Sequence, residues 1–515
     1  MKRITNCLLP LLFFFVVQSQ ESIDTSVLSK IKNEGLNHSQ IEHIAHYLMD
    51  VAGPRLTNST GYIRASNWAV SEMKNWGLSN AHLDAWGKFG PGWNLQKSYV
   101  AIKKPYYQTM IAYPNAWTKG TNGLTAGDVV IIKDLNADSI KKYNYNVRGK
   151  IVLVKQKNTK LRSSFNAFAE RLSDDSLSKL DDTYMISEEM MSEIGKSVAT
   201  LRSAVSELEN RGAIALLSTN GWTRDGTVEA DAWWSGVKGM FPQLLVMNTT
   251  PEDYYRIQRL VGSNIPVQLE MDVATQMGGD ETAYNVIAEV PGTDPKLRAE
   301  VVMLGGHLDS WYSGTGATDN GAGSAVMIEA IRILKTLNLT PKRTIRIALW
   351  SGEEQGLFGS TGYVRKYFGD PATLKLLPAQ ANVSAYFNLD NGTGKIRGIY
   401  AQSNEKAEPI FQQWITPLKD LGVTTISLKN TGATDHLPFD AVGIPGFQFI
   451  QDPIEYETRT HHTNMDVYDH LMIDDLKQAA TVVAWFVYNA ANRSEKLPRK
   501  TLPAKADWPW DNIFK

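Results

Sequence analysis

Thiols are almost absent from this sequence: Cys7 is the only cysteine in 515 residues. A chain with no further cysteine builds no disulfide framework, offers no thiolate to a metal and has no cysteine nucleophile, which removes several enzyme classes at once. Net charge is missing as well. Lys+Arg 53 against Asp+Glu 54 leaves a formal charge of -1, so no global basic field draws in nucleic acid or an anionic lipid surface. Long apolar runs are absent beyond the N-terminus, so the body of the chain offers no membrane-spanning segment.

The start of the chain reads differently. Lys2 and Arg3, an apolar stretch from Leu8 to Val17 and the small residues of Val17-Gln18-Ser19 have the layout of a secretory signal. The apolar stretch is shorter than the ~20 residues a spanning helix needs. Residues 1–20 are therefore expected to be cleaved, leaving a secreted or periplasmic protein. Cys7 lies at the beginning of this segment, not at its end where a lipoprotein cleavage site would stand, so the mature chain is expected to have no thiol.

A length of 515 residues exceeds what one core usually organises, and the mixed composition is that of a globular protein, so two domains are expected. Ser39 to Trp86 shows helical periodicity (Ile41, Ile44, Ala45, Leu48, then Ala65, Trp68, Ala69, Met73) broken at Gly53-Pro54, which fits two helices flanking a loop. Residues 117–274 hold short β-branched runs bounded by glycine turns, such as Val129 to Ile132 and Ile151 to Val154. They read as a separate β-rich unit, with a helical excursion of its own from about Phe165 to Asn210. From Asn285 onward apolar runs alternate with amphipathic helices: Val301 to Leu304, Thr344 to Trp350 and Val383 to Leu389 each precede one. This alternation predicts the α/β class, a mixed and mostly parallel sheet flanked by helices. The expected division is residues 21–116 with 275–495 as the main domain, 117–274 as a β-rich insertion, and 496–515 as an irregular tail.

In open α/β sheets the working residues gather at the carboxyl ends of the strands. Gly305-Gly306-His307-Leu308-Asp309 follows the first run, and Asp309 is placed to orient His307, since a metal-bound imidazole usually gives its other N–H to a carboxylate or carbonyl. Asp319-Asn320-Gly321-Ala322-Gly323 opens a helix, where Asp319 taken by itself reads as an N-cap, while the glycines also allow the close approach that a carboxylate bridging two cations requires. Ser351-Gly352-Glu353-Glu354 follows the second run, with adjacent acids that point in different directions. Asp390-Asn391-Gly392 ends the third, and is also ordinary turn chemistry. The adjacent pair His461-His462 stands out among nine histidines, and Asp435-His436 lies upstream of it. Two histidines, two aspartates and a glutamate suit a cation that accepts nitrogen and carboxylate oxygen. With one bridging carboxylate they suffice for two ions about 3.5 to 4 Å apart, as in two-metal hydrolases.

At this point the sequence resembles the M28 family of zinc peptidases, and within it the carboxypeptidase Q type. The resemblance runs from about Ser39 to Asn492 and rests on Gly306-His307-Leu308-Asp309-Ser310-Trp311, Gly316 to Gly323, Pro341 to Arg346, Trp350 to Gly356 and His461-His462-Thr463. It implies a zinc-peptidase fold with a protease-associated-like insertion and two Zn2+. His307 and Asp390 would hold one ion, Glu354 and His462 the other, with Asp319 between them. Glu353 would be the general base and Asp309 a catalytic orienter. Asp435, His436 and His461 are candidates for supporting or oxyanion roles.

The implied partner is a peptide, with no nucleic acid and no stable membrane span, and with room for a homodimer. The implied activity is hydrolysis of short peptides, first as an aminopeptidase, alternatively as a carboxypeptidase Q-like dipeptidase or carboxypeptidase. A single-zinc glutaminyl cyclase and a non-catalytic binding protein are the rival readings. All six metal and base positions are filled, which favours a working hydrolase. The helical excursion near 165–210 is not part of the family pattern, so specificity carries over least.

Overall fold

The computed structural model describes residues 23–157, 167–220, 223–230, 232 and 241–512. The expected signal segment at 1–20, with Cys7, and the opening of the helical excursion at Phe165 lie outside these residues. Among the described residues no helix is long and apolar enough to cross a membrane.

Four strands, Thr344–Trp350, Val301–His307, Val383–Asn388 and Gly446–Gln451, lie side by side and run parallel. A parallel strand is covered on both faces, which is why these segments read as unbroken apolar runs. Side chains alternate across the sheet. Val302 and Leu304 enter one core with the helices Ala322–Thr336 and Ile473–Asn492. Val301 and Met303 enter the other, with Tyr363 and Phe368 on and just beyond the helix Phe358–Tyr367 and with Phe439. Antiparallel neighbours widen the sheet: Thr282–Val290 and then Ser79–Lys88 on one side, and Ile396–Tyr400 on the other, followed by the parallel edge strand Thr425–Ser427. The eight-stranded sheet is mixed and mostly parallel.

The helical reading of Ser39 to Trp86 holds for Ile41–His46, its continuation to Val51, and Thr60–Asn75. It fails beyond Asn75, because Trp86 lies on the edge strand Ser79–Lys88. That strand is only partly covered, so it lacks the apolar run that marks the central ones.

The helix Ala322–Thr336 is buried nearly all round, and its two buried charged side chains are paired accordingly. Arg332 meets Glu329 at 2.6 Å and Glu34 at 2.8 Å, while Glu329 also accepts from the Ser39 hydroxyl and the Gln40 amide. A buried charge without such partners would be costly.

A second eight-stranded sheet is built from Gly92–Lys104 through Gln268–Gly278. Its first strand precedes the Trp117 boundary that composition suggests, because Gly92–Lys104 pairs along its length with Gln268–Gly278. The helix Pro251–Gly262 packs on one face through Tyr254, Tyr255 and Ile257. The helix Glu188–Asn210 packs on the other through Val198, Ala204, Val205 and Leu208. Ahead of that helix, the segment from Glu170 to Thr183 leaves the second sheet and runs along the first, bridging to Ile454 and Thr431. Arg171 fixes it by ion pairs to Asp452 at 2.9 Å and Asp475 at 2.7 Å.

Candidate functional site

The parallel register decides where the polar strand ends fall. His307, the last residue of its strand, stands opposite Trp350, which leads into Glu353-Glu354, and Gly305 stands opposite Asn388, which leads into Asp390. One edge of the sheet therefore presents an imidazole and three carboxylates that are far apart in sequence.

Asp319 completes the set from above that edge. Its backbone is not helical, and its peptide bond to Asn320 is cis. The N-cap alternative does not describe it: the Asn320 side chain, not Asp319, accepts from Gly323 N at 3.0 Å. Gly323 is tied to this arrangement, since a Cβ there would lie 2.2 Å from Asn320 Oδ1 and 2.3 Å from the Leu389 carbonyl. The Asp319 carboxylate is left facing inward. Oδ1 lies 3.2 Å from His307 Nε2, and Oδ2 lies 3.2 Å from His462 Nε2.

The other acids divide between the two histidines. Asp390 Oδ1 is 3.2 Å from His307 Nε2, and Glu354 Oε2 is 3.1 Å from His462 Nε2. Glu353 Oε2 stands back, at 3.9 Å from His307 Nε2. His461 lies behind His462, its Nε2 3.6 Å from Asp319 Oδ2 and its ring against Tyr456. His307 Nδ1 is 3.0 Å from the main-chain carbonyl of Asp309 and 3.6 Å from that residue's carboxylate, so the hydrogen bond that orients the ring goes to the carbonyl. The Asp309 carboxylate instead accepts from the Thr57 hydroxyl at 2.9 Å and the Glu353 amide at 3.4 Å.

This charge set calls for cations. Burial pushes Glu354 up to about 8, with Asp319 adding to the effect. Burial also holds Glu353 well above the usual carboxylate range, against the pull of His307 and with the push of Asp390. His307 is drawn the other way: burial disfavours its charge, but Asp390 and Glu353 outweigh it and raise it well above the ordinary histidine value. Two overlapping ligand sets emerge, His307 with Asp319 and Glu354, and Asp319 with His461 and His462. Asp319 is common to both. Carboxylate oxygens and imidazole nitrogens in this density fit a divalent metal of the zinc type.

Neither Asp435 nor His436 belongs to either ligand set, though Asp435 is close enough to help raise Glu353. Asp435 is fully buried, and burial raises its carboxyl to about 8. His436 turns away, its Nε2 3.0 Å from the Thr431 carbonyl and in contact with Gln402, and burial lowers it to about 4. A cavity of about 260 Å3 opens over Asp319, Glu353, Glu354, Asp390 and His462, and neither Asp435 nor His436 lines it.

Comparison with known proteins bears on what such an edge is used for. Residues 285–487 match the model of peptidase family M28. Over those residues the chain is similar to the M28 peptidases. Carboxypeptidase Q from Bos taurus is 27% identical over 456 residues, covering 88% of this chain and 85% of that protein. Aminopeptidase YwaD from Bacillus subtilis is 30% identical over 266 residues, 50% of this chain and 56% of its own. Among solved structures, a peptidase M28 precursor from Shewanella amazonensis aligns with a TM-score of 0.67 at 23% identity, covering 93% of this chain and 99% of that one. The protein is thus a peptidase, with the fold of that group.

Several residues that shape this edge carry no local signal in the sequence. Arg55 is buried, and its guanidinium donates to four main-chain carbonyls: Leu308 at 2.7 Å, Leu48 at 3.0 Å, Thr315 at 2.6 Å and Gly316 at 2.7 Å. Burial lowers it to about 10, where it still keeps its charge at neutral pH beside Asp309 and Asp319. Thr57 accepts from Gly352 N at 2.9 Å and donates to Asp309, joining the two turns that carry His307 and Glu353. Asp466 holds the loop below Asp319, accepting from Thr318 N at 2.6 Å, the Thr318 hydroxyl at 2.8 Å and Asp319 N at 3.2 Å. Only Asp466 was within reach of sequence reasoning, four residues after His462.

Proposed function

We propose that the protein is a secreted two-zinc exopeptidase that hydrolyses short peptides, acting as an aminopeptidase. The observation that carries this reading is the Asp319 carboxylate, with one oxygen toward His307 and the other toward His462. His307 and Asp390 would hold one zinc, His462 and Glu354 the other, and Asp319 both. A Bacillus subtilis protein of similar fold, TM-score 0.57 at 19% identity over 92% of this chain, is described as a zinc aminopeptidase, which supports the choice of metal.

Zinc held there would supply a nucleophile from water at neutral pH and polarise the scissile carbonyl. The remaining work falls to the chain. Glu353 is the base: its carboxylate lines the cavity and its backbone amide is held by Asp309, so it is placed to take a proton from water and return it to the leaving amine. Asp309 orients His307 through its carbonyl, and His461 packs behind His462. The second sheet is read as a protease-associated-like insertion, and residues 1–20 as the secretion signal.

A carboxypeptidase Q-like dipeptidase or carboxypeptidase is the second reading, favoured by relatives of that name that align over 85% of their own length. Zinc content per chain, measured with hydrolysis of free-amine aminoacyl amides, N-blocked peptides and free dipeptides, separates the two. Two zincs with cleavage of the amides are expected. Cleavage of dipeptides alone would move the activity to the carboxypeptidase Q type, and one zinc with no turnover would overturn the two-metal reading.

Asp466 provides a separate check. Asp466→Ala removes the acceptor for three donors, among them the Asp319 amide, without replacing a ligand side chain. Supporting residues of this kind typically cost about 10–100-fold in metal affinity when removed. A loss of that order in zinc competition titrations is the expected outcome.

A further inference from the structure

The loop that carries His462 has a second support, and it comes from the other sheet. Residues 223–230 belong to the connection between the neighbouring strands Ala215–Ser218 and Leu245–Thr249 of the second sheet. This connection pairs with the chain just past His462, with an antiparallel bridge between Glu229 and Thr463. The Ala230 amide donates to the His462 carbonyl at 3.2 Å, and the Asn464 amide donates to the Val228 carbonyl at 3.1 Å. The Asn464 side chain adds a bond from each end of its carboxamide: Oδ1 accepts from Val228 N at 2.7 Å, and Nδ2 donates to the Gly226 carbonyl at 3.3 Å.

The same connection is tied to its own sheet. Asn248, on the strand Leu245–Thr249, donates through Nδ2 to the Glu229 carbonyl at 3.0 Å, and Asp225 N donates to Glu252 Oε1 at 2.8 Å. Val228 and Ala230 are buried in one apolar cluster with Trp93, Trp117, Trp311 and Tyr312. Trp311 in turn meets the His462 ring edge-on, with centroids 6.0 Å apart, and its amide donates to Glu354 Oε1 at 3.2 Å. Both side chains assigned to one ion, His462 and Glu354, are therefore touched from this junction. The side chains assigned to the other ion are carried by central strands of the first sheet, His307 at the end of Val301–His307 and Asp390 just past Val383–Asn388.

The backbone of His462 needs such support. Its φ is +57°, in the left-handed region that a residue with a Cβ rarely adopts and keeps only where its surroundings over-determine it. The bond from Ala230 falls on the carbonyl of that same residue. Building on the two-zinc reading, we propose that the second sheet is a working part of the metal site. Through residues 226–230 it holds His462 in its ligand position and so sets how tightly the ion on the His462 side is bound, with Asn464 as the positioning residue at the junction.

The test is a zinc titration of the full chain, wild type beside Asn464→Ala, Asn464→Asp and Asn248→Ala, together with amide hydrogen exchange of the metal-free proteins. Asn464→Ala is expected to weaken one of two zinc steps by about 10–100-fold, the usual loss when a support of a metal ligand is removed, and to leave the other within about twofold. Asn464→Asp keeps the acceptor for Val228 N and is expected to recover most of that loss. Asn248→Ala, which changes a side chain on the second sheet outside the ligand set, is expected to weaken the same step. In the metal-free proteins both alanine variants should raise exchange on the two sides of the junction, at 226–230 and at 460–464. Two unchanged zinc steps, or two steps weakened alike, overturn the assignment, because a general loss of stability would not single out one ion. A wild type that binds one zinc or none removes the two-metal reading instead. Exchange then decides whether the second sheet holds His462: a rise at both segments supports it, and no rise at 460–464 overturns it.

Discussion

Glu353→Gln is expected to lose turnover by about 10²–10⁴-fold, the usual worth of a positioned general base, while keeping the metal content of the wild type. Gln has the same shape and can make hydrogen bonds, but it cannot take up the proton that the reaction releases. The side chain stands 3.9 Å from His307 Nε2, farther than Asp319 and Asp390, each at 3.2 Å from the same atom. It is therefore the acid left over once the closer carboxylates are assigned to cations. Measuring kcat beside zinc per chain separates the outcomes. Full activity in Glu353→Gln would place the base elsewhere, and loss of zinc would make Glu353 a ligand. The amide of Glu353 is held by Asp309, so the substitution should leave the turn in place, which circular dichroism can verify.

Why some of this site could be read from the sequence and some could not follows from where each signal lies. His307, Glu353, Glu354 and Asp390 each follow an apolar run within four residues, and a parallel strand buried on both faces leaves such a run in the text. The polar residue just past it falls at a sheet edge whatever the rest of the chain does. Arg55 and Thr57 have no such mark. Their partners are about 250 residues away, and a lone Arg after Gly53-Pro54 looks like any surface loop until the fold buries it. Asp466 stood in view beside His462, but its role depends on which amides it accepts. The strand Ser79–Lys88 was hidden for a different reason: an edge strand is only half covered, so the alternation that would identify it is diluted by exposed positions. Met191 and Ile194, which line the cavity, were legible only as helix. Val198, Val205 and Leu208 bind that helix to the second sheet, and this tertiary packing decides that its first turns overhang the site.

Asp319→Ala is expected to abolish both activity and metal binding, whereas His307→Ala and His462→Ala should each release mainly the ion on their own side. The distinction rests on the two oxygens of one carboxylate, each 3.2 Å from a different imidazole. Removing it leaves His307 with Asp390 and His462 with Glu354, two pairs too poor in donors to retain a divalent cation that takes four ligands in most protein sites. The wild type should also melt at a lower temperature after chelation, because a ligand that binds only the folded state stabilises it by about 4 kcal/mol at a thousand times its Kd. The same chelation should leave the melting of Asp319→Ala unmoved. An Asp319→Ala protein that kept one tightly bound zinc and measurable hydrolysis would show that the ions are held independently. In that case the overlap of the two ligand sets at Asp319 would be a matter of proximity alone.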